Sequence, residues 1–174
     1  YLCAQGFVPF IELVRRDASP SWKRFYPWPD SYTRFIQYLF SRYQACTCIL
    51  SPIHFDTDRD SIPAREYNEP VNLWLRTYGP PPFGNLVSSN AHCSNYRNFG
   101  GPEEAPWLTM YQTGNRREHL YYWYLTEMFH LPDPKPALNG EPYYHPDPTG
   151  GPSRRQPSGA GEAEQDCGPG SSRG

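Results

Sequence analysis

The chain has 174 residues, 16% of them aromatic, and its 16 Lys and Arg nearly balance its 18 Asp and Glu, for a formal net charge of −2. This balance shows no electrostatic footprint of nucleic-acid binding, since such proteins usually carry a basic stripe, and no nucleic-acid partner is expected. No run of about 18 apolar residues occurs, so no membrane-spanning helix is predicted. The five cysteines lack metal-ligand spacing and are interpreted as small packing residues. We expect no metal and no cofactor.

Short apolar runs alternate with helical patterns along the chain, which predicts repeated βα units and a parallel sheet. The predicted strands are Phe7–Leu13, Cys48–Phe55, Asn85–Ala91, Trp107–Gln112 and Pro136–Glu141. The first predicted helix begins at an N-cap, Asp30 or Ser31, and ends at Tyr43. The second extends from about Ser61 to Gly79 and restarts at Pro70. The third begins at a capping box of Asn115 and Glu118 and ends at Met128, with Trp123 on its core-facing side.

The two ends of the chain differ in composition. Residues 149–174 contain no aliphatic side chain larger than alanine. Such a segment cannot bury enough apolar surface to offset its ordering entropy, so we predict a disordered tail. Residues 1–148 are expected to carry the fold.

About five βα units fit either a doubly wound sheet or part of a (β/α)₈ TIM barrel. No Gly-x-Gly-x-x-Gly and no phosphate loop follows a predicted strand, which disfavours the nucleotide-binding sheet. Barrel enzymes carry their chemistry at the carboxyl ends of the strands. Polar side chains gather at those positions here, namely Glu12, His54, Asp56, His92, Gln112, Asn139 and Glu141. A barrel of eight strands typically has about 250 residues, so a partial barrel is predicted.

The segment 139–144, Asn-Gly-Glu-Pro-Tyr-Tyr, carries the sharpest candidate site. Strand alternation places Asn139 and Glu141 on one face, toward a barrel interior, and Leu138 on the other, toward the helices. A carboxylate can attack or stabilise an anomeric carbon, and the rings of Tyr143 and Tyr144 offer a sugar its apolar stacking surface. The alternative is a Glu at a strand end that is held in a salt bridge.

A second group is needed to donate a proton if a glycosidic bond is cleaved. His54 and Asp56 share one parity at the end of the second predicted strand, and either is a candidate general acid. A solvated loop is the equal alternative there. His92 and Gln112 end the next two strands, where hydroxyl groups of a substrate could be bound, and Glu12 ends the first. Trp28 and Tyr111 are further candidate stacking rings.

The triplet Asn68-Glu69-Pro70 matches the acid/base motif of many retaining barrel glycosidases. In those enzymes the triplet ends a strand, whereas here the preceding residues are polar and turn-like. Proline is common in the first turn of a helix. We therefore interpret the triplet as a helix start.

The order of motifs resembles the apiosidase-like (β/α)₈-barrel family, which includes glycoside hydrolase family 140. The matching stretches are GFVPFIEL, RYQACTCILSPIHFD, LVSSNAH, WLTMYQTGN and KPALNGEPYY, and they cover about residues 6–148. The resemblance implies that the predicted strands are the third to the seventh of a barrel and that the chain is a fragment lacking the first two and the eighth.

The resemblance also implies roles for single residues. Glu141 matches the catalytic Glu of the seventh strand, and an Asp partner is expected from the fourth. Family members have Gly-Gly-Asp at that strand end, whereas this chain reads Ser-Pro-Ile-His-Phe-Asp over residues 51–56, and Asn115 stands where many members carry His. The implied function is hydrolysis of plant cell-wall carbohydrate, of apiosidase type, in a protein compatible with secretion. The alternatives are a non-catalytic carbohydrate-binding relative and an inactive truncated product.

Overall fold

A computed structural model describes residues 1–55, 62–91, 94–113 and 120–140, all of which belong to one compact unit, Tyr1–Pro142. Helices and short parallel strands alternate along it, which confirms the predicted α/β class. The predicted tail and the capping box of Asn115 and Glu118 lie outside the described residues.

Four strands and five α-helices make up the described secondary structure. In chain order they are β1 (Phe10–Glu12), α1 (Ser19–Phe25), α2 (Asp30–Tyr43), β2 (Ile49–Ser51), α3 (Asn68–Tyr78), α4 (Asn95–Phe99), β3 (Tyr111–Thr113), α5 (Leu120–Phe129) and β4 (Ala137–Asn139). Short 3₁₀ turns cover Cys3–Gln5, Arg16–Ala18 and Ala64–Tyr67.

The strands form two parallel two-stranded sheets, β1–β2 and β3–β4, and single bridges and hydrogen bonds of residues 86–91 connect them into one array in chain order. β1 pairs with β2 in parallel, with Ile11 opposite Leu50. Residues 86–91 continue this array, because Val87 forms a parallel bridge with Leu50 and its carbonyl accepts hydrogen bonds from the backbone N–H groups of residues 109 and 110. β3 then pairs with β4 in parallel, with Gln112 opposite Leu138.

The main core lies between this array and the pair of helices α2 and α3. The buried face of α2 repeats at the spacing of an amphipathic helix, through Tyr32, Ile36 and Phe40. Trp74 of α3 packs edge-on against Phe40 at 5.1 Å between ring centroids. Each of these fully buried side chains contributes about 1.5–3 kcal/mol through the hydrophobic effect. The packing of both helices therefore holds the strands in place.

Several elements differ from the sequence predictions. Each strand is shorter than predicted, and the predicted strand 85–91 forms only single bridges. The helices α1 and α4 were not predicted, because seven and five residues are too few to display a helical period. The predicted N-cap of α2 at Asp30 or Ser31 was wrong, because the helix begins at Asp30 without a side-chain cap hydrogen bond. The Ser31 hydroxyl instead donates to the Pro27 carbonyl and accepts from Trp22 Nε1. Trp123, predicted in the core, is 58% exposed, whereas Tyr124 and Met128 of the same helix are buried.

Asn68 has a structural role, as the sequence interpretation of its triplet predicted. Its side chain is buried at the start of α3, donates from Nδ2 to the Phe99 carbonyl at 2.6 Å, and accepts from Trp107 Nε1 at 3.0 Å. One amide thus connects α3 to two buried aromatic residues. Removing the Asn68 amide would leave the Trp107 Nε1 donor and the Phe99 carbonyl acceptor without partners. Buried polar groups without partners lower the free energy of unfolding.

We expect Asn68→Ala to lower the free energy of unfolding by about 3 kcal/mol, since two buried polar groups lose their partners. The measurement is urea unfolding, read as a shift of the midpoint at constant slope. Asn72→Ala is the matched control on the same helix, because Asn72 donates to the Glu104 carbonyl at a more exposed position. A loss below about 1 kcal/mol in both variants would contradict the role assigned to Asn68.

Tyr67 predicts a pH dependence of stability. Its ring is fully buried, its hydroxyl donates to the Ser19 hydroxyl, and burial raises the pKa of Tyr67 to about 12. Folding therefore favours the protonated phenol. Its contribution is complete below the ordinary tyrosine pKa of about 10 and is lost as the pH rises through about 12.

We expect the free energy of unfolding to fall by about 2–3 kcal/mol from this group between pH 10 and 12, in urea titrations at several pH values. Tyr67→Phe should show a smaller alkaline loss. Tyr78→Phe, which removes an exposed hydroxyl at the end of α3, is the control. An equally steep loss in Tyr67→Phe and wild type would refute this assignment.

Candidate functional site

Glu12 and His54 meet at the carboxyl end of the β1–β2 pair. His54 Nδ1 lies 2.5 Å from Glu12 Oε2, and the two side chains are 17% and 24% exposed. The sequence placed both residues at strand ends without predicting this contact. The structure therefore brings together two of the predicted site residues as a direct histidine–carboxylate pair.

The backbone holds this pair in position. Pairing continues beyond the two strands, since Leu13 N–H donates to the Ser51 carbonyl and His54 N–H donates to the Val14 carbonyl at 2.8 Å. Arg15 and His54 form a further parallel bridge. Both segments that carry the pair are therefore fixed on the same hydrogen-bonded ladder.

The contact with Glu12 favours one tautomer of His54. A carboxylate only accepts hydrogen bonds, so the Glu12 carboxylate pairs with the tautomer that carries a hydrogen on Nδ1. Glu12 Oε1 is buried and has no hydrogen-bond partner among the described residues. A histidine oriented by a carboxylate in this way is suited to general acid–base chemistry.

Gln112 is the middle residue of β3 and lies in a buried polar network. Its side chain is 1% exposed, and its Oε1 accepts from the Ser88 hydroxyl at 3.2 Å. Its backbone N–H donates to Asn95 Oδ1, while Asn95 Nδ2 donates to the Ser88 hydroxyl and to the Met110 carbonyl, each at 3.0 Å. Asn95, which the sequence did not single out, thus connects α4 to two neighbouring strand segments.

Gln112 and Asn139 point to opposite faces of the β3–β4 pair. The register sets Gln112 opposite Leu138 and Thr113 opposite Asn139, and side chains alternate between faces along a strand. The Oδ1 atom of Asn139 is buried without a hydrogen-bond partner among the described residues. Leu138, predicted to face the helices, is 44% exposed. The structure therefore does not bring Gln112 and Asn139 together on one face.

The remaining predicted site residues lie outside the described part of the chain. They are Asp56, His92, Glu141, Tyr143 and Tyr144. Within the described ranges, no group of three His, Cys, Asp or Glu side chains is arranged to hold a metal ion. None of the described helices combines the length and the apolar composition needed to cross a bilayer.

The two candidate stacking rings are already engaged by protein groups. Trp28 packs against Tyr32 at 5.1 Å, and its Nε1 donates to Glu69 Oε2 at 3.2 Å. Tyr111 is buried, with the ammonium of Lys135 5.0 Å from its ring centre. Burial, reinforced by the charge of Asp133, raises the pKa of Tyr111 to about 12. Both rings therefore stabilise the fold.

Gly140 allows Gln112 to occupy its position. A Cβ atom at residue 140 would lie 1.9 Å from Gln112 Nε2 and 2.5 Å from its Cδ. Because the Gln112 side chain is buried and hydrogen-bonded, it cannot move aside without losing its contact with Ser88.

We expect Gly140→Ala to lower the free energy of unfolding by about 1–2 kcal/mol through this overlap. In a Gln112→Ala background the added methyl group should have a much smaller effect, so a double-mutant cycle by urea unfolding measures the coupling. Additive effects of the two substitutions would show that the side chain of Gln112 does not limit residue 140.

Comparisons of the chain with protein-family models, with curated proteins and with solved structures find no match.

Proposed function

We propose that this chain is part of a (β/α)₈-barrel glycoside hydrolase in which His54, oriented by Glu12, transfers the proton. The observation that carries the proposal is the 2.5 Å contact between the two side chains at the carboxyl end of neighbouring parallel strands. Chemistry in barrel enzymes is found at that end of the strands.

The order of the strands supports the barrel. From β1 through residues 86–91 to β4, each segment neighbours the next along the chain. A doubly wound sheet would instead reverse its strand order at a switch point. Consecutive parallel strands that alternate with helices are the arrangement that a barrel repeats until it closes.

The chemistry requires two groups on either side of the scissile bond. One protonates the leaving oxygen, and the other attacks or stabilises the anomeric carbon or activates water. In this proposal His54 supplies the proton and Glu141 is the nucleophile or base. Asp56 is the alternative proton donor.

The proposed substrate contacts follow the sequence prediction, with one change. His92, Asn139, Tyr143 and Tyr144 remain the proposed contacts with sugar hydroxyls and ring faces. Gln112 is reassigned to structural support, because its buried side chain is already hydrogen-bonded. A plant cell-wall polysaccharide, with release of apiose or a related sugar, is proposed on the family resemblance alone.

The test is turnover of pectic polysaccharide by the 174-residue chain, measured as released reducing sugar, after a cooperative thermal transition by circular dichroism has shown that the preparation is folded. We expect Glu141→Gln to abolish turnover while sugar binding persists. Glu12→Gln and His54→Gln should each lower kcat by about 100-fold, the usual contribution of a positioned acid. Glu103→Gln, at an exposed carboxylate, is the matched control.

Each other outcome counts against a stated part of the proposal. Unchanged turnover in Glu141→Gln removes the catalytic assignment of Glu141, and unchanged turnover in His54→Gln removes that of His54. A folded chain that binds the polysaccharide without cleaving it would be a non-catalytic carbohydrate-binding relative, and the hydrolase proposal would then be wrong.

A further inference from the structure

Three cysteines lie near one another at the amino-terminal end of the β1–β2 pair, opposite the Glu12–His54 contact. Cys3 lies in the first 3₁₀ turn, and Cys46 and Cys48 lie between α2 and β2. Cys3 Sγ is 3.6 Å from the carbonyl oxygen of Thr47, the residue between the other two. The fold therefore brings the thiol of the first turn against the segment that carries the second and third.

The three thiols have different surroundings. Cys48 is buried, and its Sγ lies 3.5 Å from the Tyr43 carbonyl and 3.5 Å from Asn85 Nδ2. Burial raises the pKa of Cys48, and the nearby thiols of Cys46 and Cys3 raise it further. Since thiolates are the reactive form, Cys48 is the least suited to attack a disulfide. Cys46 is exposed and Cys3 is partly buried, and all three are free thiols.

An open cavity of about 260 Å³ gives solvent access to two of these cysteines. Cys46 and Cys48 line it, together with the apolar side chains of Val8, Ile49 and Phe83. A small-molecule disulfide can therefore reach Cys46 without any part of the core opening. Cys48 also lines the cavity, but its sulfur is held by Asn85 and Tyr43.

We propose that Cys3 and Cys46 form a reversible disulfide by exchange with a small-molecule disulfide such as oxidised glutathione. The Cys46 thiolate attacks one sulfur of the reagent, forms a mixed disulfide and releases one glutathione thiolate. The Cys3 thiolate then attacks the Cys46 sulfur and releases the second glutathione. The two protein thiols are oxidised to one disulfide, and the reagent is reduced to two thiols.

The bond joins the first turn of the chain to the turn between α2 and β2. It closes the loop of residues 3–46, and a crosslink stabilises a fold mainly by restricting the unfolded chain. The segment that leads into β1 would then be held at both ends. The expected effect is a rise in Tm of about 5 °C in the oxidised form relative to the reduced form.

The experiment treats the 174-residue chain with oxidised glutathione, blocks the remaining thiols by alkylation, and maps the peptides by mass spectrometry. We expect one crosslinked pair containing Cys3 and Cys46, with Cys48 alkylated, and reversal by dithiothreitol. Cys48→Ser is the matched control and should keep the crosslink. Cys3→Ser should stop at the mixed disulfide of Cys46 with glutathione and lose the rise in Tm.

Three results would overturn the proposal. The first is a crosslink that joins Cys3 or Cys46 to any other cysteine of the chain, Cys48 included. The second is a wild-type protein that stops at the mixed disulfide. The third is a wild-type protein in which Cys3 and Cys46 are both still alkylated after oxidation. Because the readout is a covalent bond, the outcome is independent of whether the chain cleaves carbohydrate.

Discussion

The parallel pairing of residues 9–16 with residues 49–54 is the constraint on which the candidate site depends. Hydrogen bonds from Ile49 N–H to the Pro9 carbonyl at one end and from Arg16 N–H to the His54 carbonyl at the other define this ladder. β1 and β2 themselves span only three residues each. The apolar side chains of α2 and α3 pack against one face of the ladder and shield it from water. Glu12 and His54 lie at its carboxyl end.

Buried polar side chains connect the remaining elements. Asn68 joins α3 to Phe99 and Trp107, and Asn95 joins α4 to the segments before and within β3. Short strands leave many backbone groups without ladder partners, so side-chain amides take over part of that bonding. This accounts for the fully buried Ser88 and Asn95, which would otherwise be unusual at the centre of a small domain.

The sequence predicted the elements better than their contacts. The spacing of Tyr32, Ile36 and Phe40 specifies α2 because helical periodicity is a local property. The Glu12–His54 contact joins residues far apart in the chain, and no local pattern records such a pairing. The short helix α4 could have been suspected from Ser94, whose hydroxyl caps it by accepting from Arg97 N–H at 3.3 Å. The opposite orientation of Gln112 and Asn139 depends on the β3–β4 register, which the alternation within a single strand cannot supply.

The shortness of the β1–β2 ladder also determines how this domain would fail. Strands advance by about 3.3 Å per residue, and a slip of one position turns every side chain to the other face. Glu12 would then no longer reach His54, although the apolar helices could still pack on the altered strands. Mispairing would therefore break the Glu12–His54 contact while leaving a compact molecule. For this chain, secondary-structure content or compactness alone is consequently a poor measure of whether the Glu12–His54 contact has formed.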